Sequence, residues 1–145
     1  KIRNSNCIYI DDYGHHPTEI KKTIEAIRDS YASHKLIMIF QPHRFTRTSD
    51  LYDEFVEVLQ EVDQLLLLDI YSAGEDKIEG IDSENIKNSL LKEGFQKVTL
   101  FSDKNNILKD LDKTIDTDTV FVFQGAGDIS TISKAVAKEF YSGSY

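Results

Sequence analysis

Five short apolar runs, Cys7 to Ile10, Leu36 to Phe40, Leu65 to Ile70, Val98 to Phe101 and Val120 to Phe123, alternate along the chain with segments of helical periodicity. No other feature constrains the fold so strongly. Each run reads as apolar on both faces, the pattern of strands covered by helices on both sides. Between them Ile20, Ile24, Ile27 and Tyr31 recur at helical spacing, and Leu51, Phe55, Leu59 and Val62 repeat the pattern, each set making one apolar stripe. Pro17 and Glu19 suit the first turn of the first helix, where a missing N–H costs nothing and a carboxylate complements the dipole. A third helix is expected from near Asp82 to Gly94, a fourth from about Asn105 to Leu111, and a last from Ile129 to Phe140. The order βαβαβαβαβα implies a three-layer α/β domain with a mostly parallel sheet of about five to six strands and helices on both faces.

A chain of 145 residues fits one domain. With 40% hydrophobic and 29% charged residues it has the composition of a globular protein. Its longest wholly apolar run, Leu36 to Phe40, is far short of the ~20 residues a membrane span needs, so no membrane association is expected. Lys plus Arg is 17 and Asp plus Glu is 25, giving −8, which argues against a general nucleic-acid or anionic-membrane binder. The single Cys7 excludes an internal disulfide and fits a reducing compartment such as the cytoplasm. The chain opens Lys-Ile-Arg without a Met, and a piece of a longer protein is expected. Ser72 to Gly80 is the longest expected loop and a candidate mobile element.

In an open parallel sheet ligands bind beyond the carboxyl ends of the strands. Three loops there stand out: Asp11-Asp12-Tyr13-Gly14-His15-His16-Pro17, Gln41-Pro42-His43-Arg44-Phe45-Thr46-Arg47, and Gln124-Gly125-Ala126-Gly127-Asp128. By connectivity all three face one edge of the sheet. Arg44 and Arg47 beside His43 suggest an anion site, because guanidinium offers a fork of donors and the helix that follows adds free N–H groups. Surface pairing of these arginines with Asp50 and Asp53 is the plain alternative. His15 reads as a donor to a phosphate or hydroxyl, and His16 either as a ligand contact or as a side chain bonding the first helical turn. A metal held by His15, His16 and His43 with Asp11 or Asp12 is disfavoured, since adjacent histidines point apart and no spaced ligand pair follows. Tyr13 suits stacking on a nucleobase while Asp12 accepts from ribose hydroxyls, or else packs. Gly125-Ala126-Gly127 resembles the start of a dinucleotide fingerprint, but it follows the last strand and Ser130 stands where the third glycine belongs. These residues suit close backbone approach to a ligand, or a tight turn. No Gly-Lys dipeptide occurs, which excludes a P-loop within this chain.

Taken in order and spacing, Asp11 to Glu19, Phe40 to Thr48 and Gln124 to Ile129 closely resemble the C-terminal domain of the Mur ligase family, in the branch that joins L-alanine to UDP-N-acetylmuramate. The resemblance implies a Rossmann-like domain, residues 1–145, as the third of three, behind a UDP-sugar domain and a central ATPase domain absent from this chain. It implies ATP with Mg2+ in the full-length enzyme, held mainly by the central domain, and no catalytic turnover by this chain alone. Asp12, Tyr13 and His15 would face the nucleotide, His43, Arg44 and Arg47 the L-alanine and acyl phosphate, and Gly125, Ala126 and Gly127 would support them. A murein-peptide recycling ligase of the same superfamily, a non-catalytic nucleotide-binding module and a metal-dependent phosphoesterase are the competing expectations.

Overall fold

The computed structural model describes residues 7–101, 106–107 and 118–141. In chain order these form β1 (Ile8–Asp12), α1 (Pro17–Ser30), β2 (Lys35–Phe40), α2 (Phe45–Asp50), α3 (Tyr52–Leu59), β3 (Gln64–Leu68), α4 (Ser83–Lys92), β4 (Val98–Phe101), β5 (Thr119–Gln124) and α5 (Ile129–Tyr141). The strands make one five-stranded sheet in the order β1-β5-β2-β3-β4. Every pairing is parallel, with Ile8 opposite Val120, Lys35 opposite Thr119, Ile37 opposite Gln64 and Leu65 opposite Val98.

Strand alternation divides the core in two. Leu36, Met38, Phe40, Leu65, Leu67, Val120 and Val122 pack with α1, α3 and α4, whereas Ile37, Ile39, Leu66, Leu68, Phe121 and Phe123 pack with Ile129, Ile132 and Val136 of α5. The strand order explains this division. Steps from β1 to β2, β3 and β4 all run the same way across the sheet, so the right-handed crossover rule puts their helices on one face and the return to β5 on the other. Ile107, buried in the α5 layer, agrees with that return. Apart from residues 106 and 107, which are helical, the helix expected from Asn105 to Leu111 lies outside the described residues.

Two expectations are corrected. The stripe read from Leu51 lies in α3, where Phe55 and Leu59 are buried, but an additional short helix, α2, precedes it, the two joined where Leu51 leaves helical geometry at φ −117° and ψ 26°. The first of the two carries only Phe45 and Thr48 inward, too little apolar periodicity to show in the sequence. Nor are all strands covered on both faces. The edge strand β1 is mostly half-buried, and Thr99 on the other edge strand, β4, is exposed.

Capping sets where α1 starts. His16 is the N-cap, its Nδ1 accepting from Thr18 N at 3.1 Å, and Glu19 Oε1 accepts from His16 N at 3.1 Å, a reciprocal capping box. Near its other end Arg28 donates to Asp63 at 3.0 Å, and the same carboxylate oxygen takes Leu36 N at 2.7 Å, which fixes the helix against the start of β2.

Candidate functional site

Because β5 lies between β1 and β2, the three loops singled out in the sequence leave three neighbouring strands. The chain turns toward the α1 side after β1 and β2 and toward the α5 side after β5, so a crevice opens at the carboxyl edge where the direction reverses. Two buried glutamines knit this edge together. Gln124, at the end of β5, donates through Nε2 to Asp12 Oδ2 and, at 2.8 Å, to Gly14 O, holding the first loop to the third. Gln41, just past β2, donates to Asp128 Oδ1 at 2.6 Å and accepts from Ile129 N at 3.1 Å, holding the second loop to the third. Gly125 and Gly127 allow the fit. A side chain on Gly125 would meet Gln41 O, and one on Gly127 would meet Gln41 Oε1 and the Tyr71 ring. Ala126 between them is half-buried.

Asp11 and Asp12 are not in the first loop, as the sequence suggested, but pair with Phe123 and Gln124 as the last residues of β1. Asp12 Oδ2 also accepts from Thr23 Oγ1 at 2.9 Å, so this oxygen braces the loop. Tyr13, next in line, is 72% exposed as a residue, and its ring offers the surface a planar ligand would need. His15 stands edge-on to that ring at 6.3 Å and faces His43 at 5.6 Å. His43 in turn stacks on Tyr71 at 5.4 Å, and Tyr71 is bridged into the second loop by its N–H to Pro42 O and its carbonyl to Arg44 N, each at 2.8 Å. One continuous row of rings therefore runs from Tyr13 through His15 and His43 to Tyr71. His16 is not in it; its ring caps α1, which settles the alternative left open in the sequence in favour of the helical turn.

The arginines occupy the second loop. Arg47 Nη1 lies 3.2 Å from both His43 O and His43 Nδ1. A guanidinium only donates, so His43 Nδ1 accepts and its proton resides on Nε2. Arg44 faces Glu75 at 3.8 Å, across a surface where its own side chain is 46% exposed. Two of the N–H groups expected to be free at the start of α2 are taken: Glu75 Oε1 accepts from Phe45 N at 2.8 Å and from Thr46 N at 3.1 Å, and Oε2 accepts from Thr46 Oγ1 at 2.7 Å. That carboxylate comes from the Ser72 to Gly80 loop, which the sequence suggests only as a candidate mobile element.

Burial lowers the His43 pKa from its ordinary 6.5, and the positive neighbours His15, Arg47 and Arg44 lower it further, against a small opposing pull from Glu75. The neutral, Nε2–H form is therefore favoured in the fold. A lowered histidine pKa means that the unfolded chain binds this proton more readily, so stability falls as pH drops through 6.5 toward the folded value. We expect His43→Gln to flatten the pH dependence of urea midpoints in that window; an unchanged slope would mean that another group sets it.

The row of rings and the two guanidiniums thus bring together Asp12, Tyr13, His15, His43, Arg44 and Arg47 beside the supporting Gly125 to Gly127 turn. Among the described residues no group of three His, Cys, Asp or Glu side chains is placed to hold a metal ion. Four residues of the site were given no role by the sequence. Gln41 and Gln124 were legible in principle, as polar residues ending wholly apolar strands; Tyr71 and Glu75 left no local signal.

Three comparisons bear on this site. Residues 1–127 match the family model described as Mur ligase, glutamate ligase domain. The UDP-N-acetylmuramate–L-alanine ligase of Buchnera aphidicola is 49% identical over 134 residues, covering 92% of this chain and 28% of that protein. Among solved structures, a UDP-N-acetylmuramate-alanine ligase from Thermotoga maritima aligns over 99% of this chain and 29% of its own, with a TM-score of 0.69 and 28% identity. A murein peptide ligase from Psychrobacter arcticus aligns over 92% of this chain and 27% of its own, with a TM-score of 0.74; at 19% identity it shows the shared fold alone. The chain spans just over a quarter of the length of the relatives it matches, and it belongs to the Mur ligase family, whose C-terminal α/β domain it forms.

Proposed function

We propose that this chain is the third domain of an ATP-dependent ligase that joins L-alanine to UDP-N-acetylmuramate in peptidoglycan precursor synthesis in the bacterial cytoplasm. In that reaction a carboxylate oxygen attacks the terminal phosphorus of ATP, ADP leaves, and the amine of L-alanine attacks the resulting acyl phosphate. Phosphate departs, the amine loses a proton and an amide remains. Enzymes gain rate in such transfers by fixing the reactants and by placing charge where it develops. The crevice offers both. Tyr13 presents a planar surface to the adenine, with His15 and the braced Asp12 beside it. His43 offers its Nε2–H, and Arg44 and Arg47 offer guanidinium donors, to the carboxylate of L-alanine and the acyl phosphate. The observation that carries the reading is this clustering of imidazole and guanidinium groups at one sheet edge, in a chain of net charge −8. The likeness to the Buchnera enzyme supports L-alanine over a murein peptide as the substrate.

The chain has no Gly-Lys dipeptide and so no P-loop to cradle a triphosphate; we assign the metal and the triphosphate to a central ATPase domain, and this chain alone is expected to turn over no ATP. Tyr13→Ala in a full-length ligase carrying this domain tests the assignment. Losing a stacked ring costs about 1–2 kcal/mol, which raises the KM for ATP roughly 5- to 30-fold and leaves that for L-alanine nearly unchanged. Equal effects on both substrates would place Tyr13 in domain closure instead. ATP turnover by this chain alone, abolished by His15→Ala or Arg47→Ala, would overturn the division of labour.

A further inference from the structure

Arg44 adopts a backbone conformation that a non-glycine residue rarely holds, φ 77° and ψ 141°. Such a geometry persists only where the surroundings over-determine it. Here the peptide units on both sides of Arg44 are tied down. Its own N–H donates to Tyr71 O at 2.8 Å, and its carbonyl accepts from Thr48 Oγ1 at 2.8 Å and from Thr48 N at 3.3 Å. The next two N–H groups, of Phe45 and Thr46, both end on Glu75 Oε1, while Glu75 Oε2 holds the Thr46 hydroxyl. Of these ties only the Glu75 carboxylate comes from a side chain outside the second loop and α2. It reaches in from a segment about 30 residues further along the chain. Its hydrogen bonds with Thr46 hold it more acidic than an ordinary glutamate, so it is a carboxylate across the neutral range.

We infer that Glu75 is a positioning residue for the ligase reaction: by fastening the Phe45 and Thr46 amides it keeps Arg44 in its strained turn and so aims the guanidinium into the crevice. The direct ion pair is secondary. At 3.8 Å and on an exposed surface it contributes little, whereas the three short hydrogen bonds to Phe45 and Thr46 set the path of the backbone. This inference rests on the assignment of Arg44 to the amino-acid half of the site. It adds a residue from the Ser72 to Gly80 loop that touches no substrate itself. Geometry and charge can be separated, because Glu75→Gln keeps one oxygen for the two amides and loses the charge, while Glu75→Ala loses both.

The test combines kinetics with exchange of individual amides. In a full-length ligase carrying this domain, Glu75→Ala is expected to raise the KM for L-alanine about tenfold, with the KM for ATP nearly unchanged, and Glu75→Gln to retain most of the wild-type value. The double variant Glu75→Ala/Arg44→Ala is expected to be no worse than Arg44→Ala, since a residue acting through Arg44 has nothing left to position. In this chain, without substrates, hydrogen exchange at Phe45 and Thr46 should quicken at least tenfold in Glu75→Ala and change little in Glu75→Gln. If Arg44→Ala leaves L-alanine kinetics normal, the assignment of Arg44 fails. If Arg44→Ala is impaired but Glu75→Ala is not, or if the two effects multiply in the double variant, the positioning role fails by itself. Should Glu75→Ala not fold, Glu75→Gln decides: a loss of L-alanine affinity as deep as that of Arg44→Ala, with the two amides still protected, would show that charge and not backbone placement is what Glu75 supplies.

Discussion

Replacing Arg47 by lysine in a full-length ligase carrying this domain is expected to raise the KM for L-alanine about tenfold or more, with Arg47→Ala worse and the KM for ATP little changed. L-Alanine is small, and its carboxylate is the main handle by which a protein can orient its amine. A charge-assisted hydrogen bond is worth about 1.5–3 kcal/mol, and lysine keeps the charge while losing the fork. The structure adds a second reason for a large effect. Arg47 Nη1 also bonds the carbonyl and Nδ1 of His43, and a single ammonium at the end of a flexible stem reproduces that geometry poorly. Arg47→Lys should therefore also disturb the tautomer of His43, visible as a changed imidazole nitrogen signal in NMR. Normal L-alanine kinetics in both Arg44→Ala and Arg47→Ala would return these side chains to a surface role.

The largest effect on stability is expected at Gly125. Its φ of 145° disfavours an L side chain, and an added Cβ would stand 2.8 Å from the Gln41 carbonyl oxygen. Strain of about 1–3 kcal/mol together with displacement of that carbonyl gives about 3 kcal/mol, or a fall in Tm on the order of 10 °C for Gly125→Ala. Gly74→Ala is the control. Its φ of 86° is also positive, yet nothing lies within 4 Å of the added Cβ, so only the conformational term of about 1 kcal/mol applies. Equal losses in the two variants would show that the close approach of the second and third loops contributes nothing.

What could be read in the sequence follows from the range over which each signal acts. Alternation and periodicity are local, so Val98 to Phe101 matches the observed strand, and the inward stripe of Ile20, Ile24 and Ile27 is as expected. Topology then follows from the crossover rule, except that nothing local places β5 between β1 and β2. The motif loops were legible for the same reason: each follows a strand whose carboxyl end could be located. Their mutual contacts were not. Gln124 reaches Asp12 across 112 positions and Gln41 reaches Asp128 across 87, and no spacing rule pairs such residues. Glu75 is the clearest case. The sequence shows an acid between Gly74 and Asp76 in a loop, and only the fold reveals that its carboxylate terminates the amides of α2.

The central place of β5 also governs how this domain comes into being. Until residues 119–124 are available, β1 has no hydrogen-bonding neighbour among the described strands, because its one partner in the sheet is β5. Closing that pair joins Ile8 to Val120 across most of the chain, a costly loop closure that comes late and slows folding. A nascent chain emerging from the ribosome can assemble β2, β3 and β4 with their helices, but it leaves β1 and the Tyr13 loop adrift. The strand that completes the sheet is thus also the one that brings the two halves of the crevice together. A polypeptide interrupted before it would leave the facing edges of β1 and β2 unpaired, the exposed strand edges that invite pairing with other chains.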